Sequence, residues 1–444
     1  MVHRVLRIQS ISAVRAVLVA TAMATLAIVA SGFPLRAVAA EGASDGAATA
    51  QPTNRFSQLP SPPGKQIDLI RALPDGTWLE LGPPAPDPKW GHGRGRAWAA
   101  NLPVATSLGL AFFYGEGIHG WWDEKTGRYM DDLWAYDINA NRWITVYPGT
   151  DVRHPPKLHV NKDGFPTLDS GEPIPIGTPV HNYQASTWDP KRKTFLTMEV
   201  RDVDYDKSMP SVYAFIQANK ERLNANHASP WIYDTTVDRW RRYATLTPSP
   251  ETGPGDVLFY IPFMDKVFFR RHDEVWFYDP GGNSWKQVTP GGPALPFGID
   301  AAACYDSKRQ RIYIGGGDYP VATGPNAFWI YDLRTNRWID PRPKGSPGGN
   351  RYGADSEEMH YDSASDTVLL FRHSDEQKAI YAYSPETNEW TLVADHLPKR
   401  WYAEYGVGGT AGFYDPALNA HFFYVAGDSD DDGTMYVYRY KKAK

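Results

Sequence analysis

The chain has a single cysteine, Cys304, among 444 residues. It cannot form an internal disulfide, so its stability must come from core packing. It also lacks a basic excess: 46 Lys and Arg stand against 51 Asp and Glu, for a net charge of −5. This balance argues against nucleic acid as a main partner. Aromatic residues, in contrast, are abundant, with 16 Trp, 26 Tyr and 18 Phe. This content excludes intrinsic disorder.

The N-terminal region has the pattern of a targeting signal. Arg4, Arg7 and Arg15 precede an apolar stretch over residues 16–33, and small residues follow at 37–40. The pattern predicts a secretory signal peptide over residues 1–40, hence a secreted or periplasmic protein without membrane attachment after cleavage. The alternative is an uncleaved membrane anchor. Residues 41–65 are small, polar and Pro-rich, which predicts a flexible leader before a single folded domain over 66–444.

One phrase recurs along the rest of the chain: an aromatic strand, a Tyr-Asp-like corner, a turn and a Trp. Five complete copies occur at Leu133–Trp143, Pro230–Trp240, Val275–Trp285, Phe328–Trp338 and Ile380–Trp390. A sixth copy, Met435–Tyr440, stops before its Trp, and the missing part stands at Trp78. A second strand–turn–strand phrase precedes each copy, so each unit has four strands and cannot bury both of its faces alone.

These phrases resemble Kelch repeats of the type found in the galactose-oxidase central domain. The resemblance implies an all-β, six-bladed Kelch-type β-propeller whose last blade is closed by the N-terminal strand around Trp78. The interval between Trp143 and Trp240 is about twice the normal length, and its excess lies in residues 148–179 and 202–229. Long loops on such a ring are either functional or ornamental.

The repeat register predicts a charged channel mouth. In propellers the start of each first strand and the end of each second strand lie on one face around the channel. Aligned blades place charged residues at these second-strand ends, where the fold family usually has Gly: Glu116, Glu199, Arg271, His272, Arg372 and His373. They bind a charged ligand, or they are solvated or form Glu–Arg pairs between blades.

Further candidates for the same face are His119, His181, Tyr183 and Arg201. The order His119, Tyr183, Arg201 resembles the His, Tyr and Arg of secreted propeller-type polysaccharide lyases such as ulvan lyases, although those have seven blades. The resemblance implies β-elimination on a uronate polysaccharide, with Tyr183 or His181 as the base and arginines binding the carboxylate. The leading prediction is therefore a secreted propeller that recognises, or also cleaves, an anionic polysaccharide.

Several alternatives remain open. The first is a binding or scaffolding propeller without chemistry, for a protein or glycan partner. Glu116 and Glu199 would permit a glycosidase. A copper-radical oxidase would need a partner for Cys304, so no such cofactor is expected. The alternating acids Asp428, Asp430 and Asp432 resemble half of a calcium loop. A monomer is expected, and five aromatics outside the repeat are candidates for ligand contact: Trp90, Trp98, Trp121, Trp122 and Trp401.

Overall fold

The computed structural model describes residues 54–95, 101–115, 122–176, 182, 184–198, 209–224, 228–246, 248–253, 255–295, 301–316, 328–347, 357–373, 378–398, 410–425 and 433–442. The first elements are the helix α1 (Lys65–Ala72) and the strand β1 (Thr77–Gly82). The next strands are β2 (Val104–Ala105), β3 (Leu110–Tyr114), β4 (Trp122–Asp123), β5 (Arg128–Tyr129), β6 (Leu133–Asp137) and β7 (Arg142–Tyr147). A short hairpin, β8 (His159–Val160) and β9 (Pro166–Thr167), precedes β10 (Ser186–Asp189) and β11 (Thr194–Thr197).

Two helices, α2 (Pro210–Ala218) and α3 (Lys220–Asn224), lead to β12 (Trp231–Asp234) and β13 (Arg239–Arg241). The third unit contains β14 (Val257–Ile261), β15 (Lys266–Arg271), β16 (Glu274–Asp279) and β17 (Ser284–Val288). The fourth contains β18 (Ala301–Asp306), β19 (Arg311–Gly316), β20 (Phe328–Asp332) and β21 (Arg337–Ile339). The last two contain β22 (Glu357–Asp362), β23 (Thr367–His373), β24 (Lys378–Ser384), β25 (Glu389–Ala394), β26 (Thr410–Asp415), β27 (Ala420–Val425) and β28 (Thr434–Arg439).

These strands form six four-stranded antiparallel sheets, which are the blades. The innermost strands contact one another in the order β2, β10, β14, β18, β22, β26 and back to β2, so the blades close a ring. Blade 6 takes its outer strand from the N-terminal side, because β1 pairs antiparallel with β28 and Trp78 lies opposite Tyr438. The predicted six-bladed propeller and its mode of closure are both confirmed.

Hydrophobic clusters fill the seams between the blades. The described residues form six such clusters, one for each seam, including the cluster that joins blade 6 to blade 1. Most of the repeat's Trp and Tyr residues lie in them: Trp143 contacts Tyr424 across the closing seam with ring centroids 5.0 Å apart. These aromatics therefore hold the ring together.

The recurring Tyr also forms a hydrogen bond within its hairpin turn, and this bond explains the spacing of the repeated phrase. Its hydroxyl donates to the side chain five residues later, and that later residue has a left-handed backbone with φ between 47° and 58°. Asn and Asp accept this conformation better than most residues. The pairs are Tyr136–Asn141, Tyr233–Asp238, Tyr260–Asp265, Tyr278–Asn283, Tyr305–Gln310, Tyr331–Asn336, Tyr361–Asp366, Tyr383–Asn388 and Tyr414–Asn419.

The segment before β1 packs on the ring over a greater length than its composition predicts. Phe56 is buried against blades 1 and 2, and the Asn54 side chain donates to the carbonyls of Thr235 and Thr236. The buried guanidinium of Arg439 donates to the Ile70 carbonyl, which fastens α1 to blade 6. Asn54 and Phe56 thus contact the ring, although they lie within the stretch expected to be a flexible leader.

The long interval in blade 2 builds a cap on one side of the ring. Residues from the hairpin β4–β5, from the segment 148–176 and from α2 and α3 share one hydrophobic cluster. Tyr129, Ile176, Met209 and Leu223 are buried in it, and Trp122 packs against it. We call this unit the cap. It shows that the described parts of the two insertions pack against each other.

Candidate functional site

The predicted site residues divide into two groups. Those that lie outside the described residues remain predictions: Glu116, His119, His181, Tyr183, Glu199, Arg201, Asp428, Asp430 and Asp432. Four are described, namely Arg271, His272, Arg372 and His373. They stand at the second-strand ends of blades 3 and 5, so the register argument places them at equivalent positions.

Both described arginines are paired with carboxylates of their own blades. Nη1 of Arg271 lies 3.4 Å from Oδ1 of Asp256, and Nε of Arg372 donates to Oε1 of Glu357 at 2.6 Å. Glu357 is the cross-strand neighbour of Arg372, and Asp256 precedes Val257, the cross-strand neighbour of Arg270. The pairs are thus within blades, whereas the alternative considered from the sequence was pairing between blades. A ligand carboxylate at either arginine would compete with a protein carboxylate.

The two described histidines differ in setting. His272 lies in the two-residue turn between β15 and β16, with φ of 52°. His373 is the last residue of β23 and is only 1% exposed. Burial lowers the pKa of His373 to about 3, so it is neutral at physiological pH and adds no positive charge for an anionic ligand.

Metal and membrane features are limited in the part of the chain that the structure describes. There, no three His, Cys, Asp or Glu residues are grouped so that they could hold a metal ion. Cys304 lies buried in the seam between blades 4 and 5, and burial raises the pKa of its thiol well above the usual value. No described helix has the length and apolar character needed to cross a membrane.

A groove that the sequence indicated only through Trp90 lies between the residues after β1 and the β4–β5 hairpin. Its cavity volume is about 450 Å³. Both walls carry cations: the Lys89 amine lies 4.7 Å, and the Arg128 guanidinium 4.8 Å, from the Trp90 ring centroid. The lining contains Lys89, Trp90, His92, Arg94, Asp123, Lys125, Arg128 and Asp132. We call this site the Trp90 groove.

The walls of the Trp90 groove are held by hydrogen bonds. Asp87 Oδ1 accepts from the backbone amides of Lys89 and Trp90, and its Oδ2 accepts from the Thr145 amide of blade 1. The groove's two carboxylates are also engaged: Asp123 contacts Arg94 at 3.0 Å, and Asp132 accepts from the Trp134 indole at 2.6 Å. The groove thus carries four Lys or Arg side chains beside a large aromatic ring, of which Arg94 pairs with Asp123 and Arg128 lies 3.5 Å from Asp151.

A second cavity, of about 350 Å³, lies along the channel. It runs beside the inner strands toward their first turns, and so away from the predicted channel mouth. Six aromatic residues line it: Trp188, Phe259, Tyr305, Tyr361, Phe413 and Tyr414. Glu358 and His360 of β22 also line it. Sequence analysis missed both residues, although each stands where the repeat in other blades has a different residue type.

The fold and the repeats define the chain as a Kelch-type six-bladed β-propeller. It is 30% identical over 175 residues to Kelch-like protein 36 from Bos taurus, an alignment that covers 37% of this chain and 27% of that protein. The proteins of the same name from Rattus norvegicus and Mus musculus are each 32% identical over 130 residues, or 27% of this chain and 19% of theirs. The match thus spans about a quarter or less of these curated relatives. No protein-family model matches the chain.

Proposed function

We propose that the protein is a binding propeller that docks an acidic segment of a partner protein in the Trp90 groove. The observation that carries this proposal is the juxtaposition of Lys89 and Arg128 around Trp90 in a cavity large enough for several side chains. Cations attract Asp and Glu side chains, and Trp provides apolar contact area at low conformational cost. The chain as a whole is mildly acidic, so the attraction is local to this groove.

The surroundings of the groove support binding rather than chemistry. The groove lies between the ring and the hairpin of the cap, so both walls are fixed and the contact surface is preorganised. Its two acids already accept hydrogen bonds or pair with Arg94, which leaves neither as a ready general base. Kelch propellers generally bind protein partners, and the Kelch-like relatives favour this class by analogy.

An anionic polysaccharide is the second candidate for the same groove. The Trp90 ring beside two cations suits a uronate sugar, which has an apolar face and a carboxylate. Cleavage by β-elimination would rest on His119, His181, Tyr183 and Arg201, which lie outside the described residues. Export by the signal peptide and calcium at Asp428, Asp430 and Asp432 likewise stay proposals.

The test is fluorescence anisotropy with a labelled Glu-rich peptide that contains one Tyr, titrated with the purified full chain. We expect saturable binding that weakens with salt. Lys89→Glu with Lys125→Glu should weaken it by about tenfold or more, because both side chains are exposed beside Trp90. Lys286→Glu with Lys344→Glu is the matched control: it changes the net charge equally at exposed positions on blades 3 and 5.

Three results would count against the protein-partner proposal. The control pair could weaken binding as much as the groove pair, or a Gln-rich peptide could bind as well as the Glu-rich one. A uronate polysaccharide could also bind more tightly than the peptide at the groove, which would favour the second candidate. A rise in near-ultraviolet absorbance during that incubation would show an unsaturated product and hence lyase activity.

A further inference from the structure

The seam between blades 5 and 6 contains polar residues at positions where the repeat elsewhere has mostly apolar ones. In blade 5, Glu358 and His360 stand four and two residues before the first-turn residue Asp362. In blade 6, His421 stands six residues after the first-turn residue Asp415. The position of Glu358 is otherwise occupied by Ala185, Val257, Ala302 and Ala411. That of His360 is occupied by Thr187, Phe259, Cys304 and Phe413. That of His421 is occupied by Phe195, Val267, Ile312 and Val368. Packing of a seam therefore does not require these three groups.

The three residues form a connected chain with Asp362. Nε2 of His421 lies 3.3 Å from Oδ2 of Asp362, and Nδ1 of His421 lies 3.2 Å from Nδ1 of His360. Nε2 of His360 then lies 3.6 Å from Oε2 of Glu358. All four residues are buried, and the two imidazole rings are nearly parallel, at 4°. The chain runs from the first turn of blade 5 to Glu358, which lines the channel cavity.

The protonation of this chain follows from its neighbours. Burial acts to raise the pKa of Asp362, but the hydrogen bond from His421 helps to hold it below its ordinary value, so Asp362 is ionised. His421 thus carries its proton on Nε2, and its Nδ1 accepts from Nδ1 of His360. Burial and the neighbouring His421 lower the pKa of His360, while burial raises that of Glu358 well above its ordinary value. Burial thus favours the protonated form of Glu358, at the cavity end of the chain.

The cavity end of this chain is unsatisfied. Among the described residues, Oε1 of Glu358 and Nε2 of His360 have no hydrogen-bond partner, although Glu358 is 1% and His360 7% exposed. Buried polar groups left in this way are costly. The described lining of the cavity contains no Lys or Arg and one acidic residue, Glu358, together with six aromatic rings. Aromatic faces attract organic cations, whereas the described lining offers no cationic side chain that would attract an anion.

We propose that the channel cavity binds a small organic ammonium ion, whose charged head is held by Glu358. The O–H bond of the Glu358 carboxyl breaks on binding, its proton leaves to the solvent, and the carboxylate pairs with the ammonium group, while no bond of the ligand changes. The backbone amide of Gly412 donates to the Glu358 carboxyl, and Nε2 of His360 lies 3.6 Å from it. A volume of about 350 Å³ fits a small ligand. This site is independent of the Trp90 groove.

Isothermal calorimetry with n-butylammonium chloride tests the proposal, with butan-1-ol and butyrate as matched neutral and anionic probes. We expect saturable binding of the ammonium ion alone. The apparent enthalpy should differ between buffers of different ionisation enthalpy by an amount that corresponds to about one released proton. Glu358→Gln should weaken binding by about thirtyfold, the low end for removing one partner of a buried charge pair. Glu389→Gln, on an exposed position of β25, should leave it unchanged.

A second variant separates ligand binding from folding. Glu358→Ala with His360→Phe introduces residues that the repeat has elsewhere and keeps the His421–Asp362 contact, so we expect the ring to fold and ammonium binding to be lost. The proposal would be overturned by equal binding of butan-1-ol, by binding without proton release, or by undiminished binding to Glu358→Gln. The absence of ammonium binding to the wild-type chain would overturn it as well, whatever the result at the Trp90 groove.

Discussion

Single residues of the repeat determine the backbone conformation of the hairpin turns. A left-handed residue ends the turn of most described blade hairpins, and it accepts a hydrogen bond from the hydroxyl of the Tyr five residues earlier. The first hairpin of blade 2 is the exception: Trp188 stands in place of Tyr, and the left-handed residue is Lys193, which has no side-chain acceptor. The Tyr-Asp-x3-Asn-x-Trp spacing thus reflects turn chemistry as much as core packing.

His373 provides a prediction about pH. Because its folded pKa is about 3, below the ordinary 6.5, the unfolded chain binds the proton more tightly. Its contribution to stability is complete above pH 6.5 and is lost as the pH falls toward 3. His373→Leu should therefore reduce the loss of unfolding free energy between pH 7 and pH 4 by on the order of 3 kcal/mol. Urea unfolding at each pH measures this loss.

The control for this prediction is His396→Leu, since His396 is 81% exposed. It should change the loss of unfolding free energy between pH 7 and pH 4 by much less than His373→Leu does. His360 and His421 also have lowered pKa values, so part of the acid sensitivity should persist in His373→Leu. An unchanged profile in His373→Leu would mean that this residue is not the neutral buried base described above.

In blades 2 and 4, the first turn forms ion pairs with the next blade, an arrangement that we call a clasp. In blade 4 the Arg309 guanidinium contacts Asp306 of its own turn and Asp366 of blade 5, and Lys308 also contacts Asp366. Blade 2 repeats the arrangement, with Arg192 contacting Asp189 and Asp265 of blade 3. Each clasp thus joins the left-handed residue of one blade to the turn of the blade before it.

Arg309→Ala should lower the unfolding free energy by about 1 kcal/mol, because the pair is partly exposed and screened by solvent. The hydrogen bond from Arg309 is the main cause that lowers the pKa of Asp366. This stabilisation is present above the ordinary aspartate pKa and is lost as the pH falls below it. A double-mutant cycle with Asp366→Asn isolates the pair, since Asn occupies the equivalent position in Asn419 and accepts a Tyr hydroxyl there. Coupling that is zero, or that persists unchanged in 1 M salt, would contradict a clasp.

For the whole molecule, features that repeat were predictable and exceptions to the repeat were not. Six copies of one phrase establish the blade count, and the displaced Trp78 indicates the closing strand. Arg372 was predicted at a strand end, but its partner Glu357 was not, because cross-strand pairing depends on register in three dimensions. The cap and the Trp90 groove were missed because they bring together segments distant in sequence. The polar seam was missed because Glu358 and His360 alternate like any strand residues.

The pairing of β1 with β28 closes the ring without a covalent link, so its loss should affect stability in a recognisable way. Trp78 packs against Tyr438 and Phe423, with centroids 4.7 Å and 5.6 Å away. Trp78→Ala should cost about 3 kcal/mol, the usual range for a large aromatic, and should speed hydrogen exchange of the β28 amides that pair with β1. Trp285→Ala is the control, because this Trp closes blade 3 within a continuous chain. It should cost as much in stability without faster exchange in β28. Equal exchange in the two variants would show that β1 is no weaker a closure than the blade hairpins.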